Sequence, residues 1–354
     1  MASVIKTRPR NGPSWVHETP YLPPGWEECS PQGASSLRHI AMRRVLSDQR
    51  VLTASLFETV PWRIASYLWD CLGQSGKRTL YMWKVFATVY PDEFPACEKR
   101  WTMTIEGPLL SMPQYLSMVR SDALRWWTVL TLAASFARVP DMVGVAEVRN
   151  LVALEVATPT TPPKAPVPAS VAMPEEAEMD TPMTAVSDRI VRAWAELAQT
   201  EGAFAHLRVM RFTNQTEITS AALRYLKDFP ALRTVIVCGC PGVSRRAETV
   251  DGWALAEMAK PQAALYSCYE KTVSSSEVQD RPVLEFQVGQ KRKTNAIESL
   301  VFQRVAGEGA EPARKKLKDG SEGRRGRGRR EKKKGVMRNR ARQDLGGLLG
   351  EFLG

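Results

Sequence analysis

The chain has 354 residues and a formal charge of +11, from 49 Lys and Arg against 38 Asp and Glu. The excess is local: from Arg314 onward fifteen basic residues face five acidic ones, a net of +10, which leaves +1 for residues 1–313. With 44% hydrophobic residues and ten Trp, that nearly neutral part is able to bury a core of its own.

Several classes are excluded at once. The longest apolar run, Trp126–Ala137, is too short to cross about 30 Å of hydrocarbon, so no membrane span is expected. Lys6, Arg8 and Arg10 are not followed by an apolar stretch, so no secretory leader is expected. Cys29, Cys71, Cys97, Cys238, Cys240 and Cys268 form no C-x-x-C, and His17, His39 and His206 lie far apart. Zinc-site spacing is therefore missing, and the cysteines are expected to be reduced thiols.

Residues 1–35 hold six Pro and little periodicity, and a mostly extended, disordered leader is expected. Residues 36–90 turn helical. Leu37, Ile40, Ala41, Arg44 and Val45 form one stripe, Ile64, Leu68 and Leu72 a second, and Leu80, Trp83 and Phe86 a third. Pro61 suits the first turn of the second helix, where a missing N–H costs nothing. Gly73 and Gly76 end that helix.

From 91 to 290 short strand-like pieces alternate with helical stretches, an α/β pattern. Four segments share one spacing of apolar residues: Trp127, Leu130, Leu132; Leu151, Leu154, Val156; Leu207, Met210, Phe212; and Leu232, Val235, Val237. The first two are offset by 24 residues and the last two by 25. The 56 residues from Leu151 to Leu207 read as one repeat carrying an insertion. Residues 158–185 hold seven Pro and the acidic residues Glu175, Glu176, Glu178 and Asp180, a composition expected to stay disordered. Trp101–Ile105 and Val283–Val288 are candidate flanking strands.

The unit from Leu207 to Cys240 resembles the cysteine-containing subclass of leucine-rich repeats. Ile218, Thr219, Leu223, Leu226, Pro230 and Leu232 occupy the places of that repeat, Cys240 stands at its Cys, and Gln215 replaces the Cys one repeat earlier. The resemblance implies a short, irregular solenoid of parallel strands with helices on the convex side. Thr219 is available to cap its helix. Side chains alternate across a strand. The concave face would thus present Val129 and Thr131, Ala153 and Glu155, Val209 and Arg211, and Thr234 and Ile236, either as a protein-binding surface or covered by the chain's own ends.

Val60-Pro61, Ile64, Leu68, Leu72, Leu80, Trp83 and Phe86 resemble a degenerate F-box, with Val60 in place of the usual Leu. That resemblance implies a surface of Pro61, Ile64, Leu68, Trp83 and Phe86 that docks the adaptor subunit of a cullin-type ubiquitin ligase, with the repeats behind it capturing substrate. The alternative is a helical cap that shields the open core of the first repeat.

Residues 291–354 are expected to be a disordered basic tail. Lys315, Lys316 and Lys318, then Arg324, Arg325, Arg327, Arg329 and Arg330, then Lys332, Lys333 and Lys334 make a dense cationic stretch, after Lys291-Arg292-Lys293. Its readers are a nuclear-import receptor or, as the alternative, RNA or DNA phosphates. Leu345, Leu348, Leu349, Phe352 and Leu353 recur at helical spacing near the end. No phosphate-cradling Gly loop, nucleophile elbow or paired catalytic carboxylates stand out. The expectation is a non-enzymatic interaction protein of the nucleus, or of nucleus and cytoplasm, without metal, cofactor or small-molecule ligand. Its partner is a protein, most concretely a ubiquitin-ligase adaptor subunit, and its alternative role is a nuclear scaffold.

Overall fold

The computed structural model describes residues 13–23, 36–158, 183, 185–243, 249–250, 252–256, 263–273, 281–289 and 299–305. All fall within one unit, Met1–Gly307. The acidic insertion, most of the leader and the basic tail lie outside the described residues.

Aromatic packing organises the N-terminal part. It comprises α1 (Leu37–Leu46), α2 (Ala54–Phe57), α3 (Trp62–Gln74), α4 (Leu80–Val89) and α5 (Phe94–Cys97). Ser36 caps α1 by accepting from the His39 N–H, Thr79 caps α4 by accepting from the Met82 N–H, and Pro61 stands at the N-cap of α3. Gly76, at φ +63°, turns the chain out of α3 in a left-handed conformation that favours glycine. Trp69 then packs on Phe86 (5.2 Å between ring centroids), Phe94 (5.1 Å) and Trp101 (6.2 Å), and Trp83 on Trp126 (6.0 Å). These contacts join the helices to the first strands.

Part of the leader belongs to this core, which corrects the expectation of an extended segment over 1–35. Trp15 packs on Tyr81 at 5.2 Å, His17 hydrogen-bonds the Tyr115 hydroxyl at 2.9 Å, and Glu18 accepts from the Leu80 N–H at 2.8 Å. Burial of an indole and satisfaction of a helix N-terminus offset the entropy of ordering residues that composition alone leaves unstructured.

The remaining elements are β1 (Arg100–Ile105), α6 (Met112–Val119), β2 (Trp127–Ala133), α7 (Val139–Val143), β3 (Leu151–Ala157), α8 (Asp188–Glu201), β4 (Val209–Thr213), α9 (Ser220–Leu226), β5 (Thr234–Cys238), β6 (Thr249–Val250), β7 (Trp253–Ala256), α10 (Leu265–Thr272), β8 (Val283–Val288) and β9 (Ser299–Arg304). They form a mostly parallel α/β sheet of nine strands in the order β1-β8-β2-β3-β4-β5-β9-β7-β6. The four segments with the shared spacing lie side by side as β2, β3, β4 and β5, all parallel. Leu130 aligns with Leu154, Met210 and Val235, and Leu132 with Val156, Phe212 and Val237. These two rows lie in the main core with the helices. At the strand ends, Gln215 is fully buried and donates to the Val156 and Thr213 carbonyls while accepting from the Val186 N–H. Thr219 caps α9 as expected, accepting from the Ala221 N–H.

Three features add to or correct the sequence reading. Both candidate flanking strands exist, but β8 inserts between β1 and β2 rather than following β5. The parallel run then ends on β9, which is antiparallel to β5 and to β7. Ser299–Arg304, assigned to the tail by its neighbours' charge, is therefore a strand; Leu300, Val301 and Phe302 are buried. Finally, α10 covers the sheet face whose outward residues read in sequence as either a binding surface or covered by the chain itself.

Candidate protein-docking groove

The register brings the eight expected concave-face residues together in two rows. Val129, Ala153, Val209 and Thr234 form one, and Thr131, Glu155, Arg211 and Ile236 the other. They are not an open surface. Seven of the eight are at most 8% exposed, Thr234 alone being half-buried. Helix α10 lies over β3 and β4 and builds a second core there from Leu265, Tyr266 and Tyr269 on Val129, Ala153, Val209 and Ile236. Of the two alternatives for this face, a partner surface or cover by the chain itself, the second holds: the chain's own helix occupies it, because apolar residues on both faces of a strand require cover on both.

A polar cluster fixes that helix. Glu155 and Arg211 are buried and 3.5 Å apart, and the Thr213 hydroxyl donates to Glu155 at 3.1 Å. Arg211 also donates to the Ala263 carbonyl at 2.9 Å and to Cys268 Sγ at 3.1 Å. At the other end of α10, Arg208 and Arg233 donate to the Thr272 carbonyl, where cations complement a helix C-terminus. Burial pushes the Cys238 and Cys240 thiols up to about 11, so these sulfurs are poor nucleophiles. The Cys240 sulfur accepts from the Gln215 N–H at 3.4 Å, a structural role at the strand end. His206 packs against Trp127 in a tilted arrangement, 4.9 Å between ring centroids, and burial first, then Arg281 and Arg208, hold its protonation below the usual imidazole range.

The open surface lies elsewhere, on the N-terminal helices. A groove of about 850 Å³ runs between α1, the turn around α2, and α3. Its walls are Ala41, Met42 and Val45 from α1, Leu52, Leu56 and Phe57 near α2, and Val60, Pro61, Ile64 and Leu68 leading into α3. Leu56 is 56% and Ile64 54% exposed, which is unusual for large aliphatic side chains clustered in one place. Arg38, held 3.6 Å over the Tyr67 ring, and Arg63 supply the rim, and no carboxylate lines the groove.

The structure divides the five residues of the F-box-like surface. Pro61, Ile64 and Leu68 line the groove, with Leu68 at its floor. Trp83 and Phe86 have no exposed surface and belong to the aromatic core, so they form no part of the open surface. The stripe read on α1 points the opposite way from a core stripe: Met42 and Leu46 are buried, while Leu37, Ile40 and Val45 are exposed.

Among the described residues there is no cluster of His, Cys, Asp and Glu that could hold a metal, and no helix is long and apolar enough to cross a membrane. The eleven tail residues from Lys315 to Lys334 named above lie outside the described residues. No protein-family model, curated protein or solved structure matches the chain.

Proposed function

We propose that the protein is an interaction adaptor that docks its partner in the groove of the N-terminal helices. The most concrete form is an F-box-like adaptor of a cullin-type ubiquitin ligase. The observation that carries this reading is the coincidence of Pro61 and Ile64, which the F-box resemblance assigns to docking, with the open apolar groove. The buried side of the same module does what a cap does, since Trp69 and Trp83 cover Trp101 and Trp126. Docking and capping thus use opposite faces. The arginine rim suits a partner segment that is apolar at its centre and acidic at its flanks.

The leucine-rich-repeat reading of the sheet belongs to this proposal too; in-register β2 to β5 support it, and β8 and β9 modify it. Substrate capture would then use the loops around the sheet, since the broad face is occupied by α10. The tail, with +10 of the net charge, supports a nuclear location, and deleting residues 314–354 should shift the protein towards the cytoplasm.

The direct test is a titration of the full chain with the purified adaptor subunit of such a ligase. Saturable binding that Ile64→Glu and Leu56→Glu abolish supports the reading; no binding by the unaltered chain removes it.

A further inference from the structure

One edge of the sheet is a row of arginines. Where β4, β5 and β9 meet that edge, Arg208, Arg233 and Arg304 stand on successive strands. The Arg233 N–H donates to the Arg208 carbonyl at 3.0 Å and the Arg304 N–H to the Arg233 carbonyl at 2.9 Å. The same edge continues in the other direction. Arg149 precedes β3, Arg125 precedes β2, Arg281 precedes β8 and Arg100 opens β1. Seven neighbouring strands therefore each bring an arginine to their common edge, over roughly 29 Å at about 4.8 Å per strand.

The carboxylates nearby cancel only part of this charge: with Arg120 added, eight cations face Glu285, Asp122 and Glu147, a net of +5. Glu285 pairs with Arg100, and Asp122 and Glu147 are both held by a further cation, Arg120. Arg304 donates to the Lys227, Phe229 and Leu232 carbonyls, Arg208 and Arg233 donate to the Thr272 carbonyl, and Arg281 lies over the Trp127 ring, partners that carry no net charge and leave each guanidinium its own. Arg125 and Arg149 stand exposed. Residues 1–313 sum to only +1, so this edge is a local concentration of charge within a nearly neutral fold.

We infer that this edge is a docking surface for the phosphate backbone of a single-stranded nucleic acid. Arginines carried on strands that repeat about every 4.8 Å suit a ligand with repeated charge, and the guanidinium fork matches phosphate oxygens better than an ammonium does. A folded protein partner is the poorer fit. Protein interfaces are built around an apolar core, and Val305 is the single large exposed apolar side chain at this edge among the described residues. The basic tail has the same sign and would add contacts to the same ligand. This inference is independent of the groove and survives if the groove binds nothing.

The test uses the full chain, a fluorescent oligouridylate and a fluorescent polyglutamate of equal charge. The double variant Arg125→Glu, Arg149→Glu is compared with the unaltered protein and with Arg44→Glu, Arg189→Glu, which makes the same charge change on α1 and at the start of α8. Circular dichroism confirms that each variant folds. The edge variant should weaken oligouridylate binding about tenfold at low salt and reduce the slope of log K against log salt by about 1.4, the loss of two phosphate contacts. The control pair should keep the slope. An unchanged slope in the edge variant would assign all binding to the tail and overturn the inference. Polyglutamate binding that is as tight, and as sensitive to Arg125 and Arg149, would overturn it in favour of an acidic protein partner.

Discussion

Glu155 and Arg211 face each other across β3 and β4, 3.5 Å apart and both buried beneath α10. The pair lies on the broad face of the sheet, and Arg211 reaches from it to α10 through the Ala263 carbonyl and Cys268. Removing one partner of a buried ion pair strands the other charge, at a cost of about 3–5 kcal/mol. Arg211→Met should therefore lower the unfolding free energy by about that amount, while the double variant Glu155→Leu, Arg211→Met should recover most of it. Urea unfolding checks this. Equal stability of Arg211→Met and the unaltered chain would mean that the pair does not hold α10 in place.

Groove and core substitutions in the same helical module should separate cleanly. Ile64 is more than half exposed, so Ile64→Glu should change stability by no more than about 0.5 kcal/mol. Trp83 has no exposed surface, and Trp83→Ala should cost about 3–5 kcal/mol. Thermal melts of the two variants measure the contrast; a large loss from Ile64→Glu would place that side chain in the core rather than on a docking surface.

Burial pushes the Glu18 carboxyl up to about 7, against its hydrogen bond from the Leu80 N–H, which acts in the opposite direction. The native chain thus holds this proton more tightly than the unfolded chain, whose carboxyl titrates near 4.5. Its contribution to stability is fully present below pH 4.5 and is lost as pH rises through 7, a change on the order of 3 kcal/mol. Glu18→Gln keeps an oxygen for the Leu80 N–H and should remove this dependence. Unfolding measured across that window should show the variant gaining on the unaltered protein as pH increases; parallel curves would contradict the buried, protonated carboxyl.

Gln215 stands where the repeat's Cys is expected and does more than a thiol could. Its amide serves two carbonyls and the Val186 N–H at the ends of β3 and β4. Gln215→Leu fills the space but leaves those groups unsatisfied, at about 1–3 kcal/mol for each one that water cannot reach. Faster exchange of the Val186 amide hydrogen should accompany the loss of stability, and unchanged exchange would rule out the bond.

Much of the sheet is legible in local sequence. The apolar spacing in β2 to β5 survives as side-by-side register, because residues 130, 132 and their equivalents must share one core. Thr219 is legible as a cap for the same local reason. What is not legible depends on distant pairing: β8 joins β1 and β2 from far along the chain, and β9 returns antiparallel. The cover over the broad face did leave a signal. Leu151–Ala157 is buried at every position, and a strand apolar at every position but Glu155 marks cover on both faces. The stripe of Leu265, Tyr266 and Tyr269 that provides the cover is short, and only tertiary packing reveals its target. The groove is partly legible: of the five residues of the F-box-like surface, Pro61, Ile64 and Leu68 line it, while Trp83 and Phe86 turn inward.

The most direct test of the adaptor reading is the affinity of the purified ligase adaptor subunit for the full chain and for Ile64→Glu. The account predicts saturable binding to the unaltered chain, weakened about thirtyfold or more by the single charge placed in the groove, as for a buried interface anchor worth about 2 kcal/mol. Binding of equal strength to both proteins would contradict it, because the docking surface would then lie outside the groove.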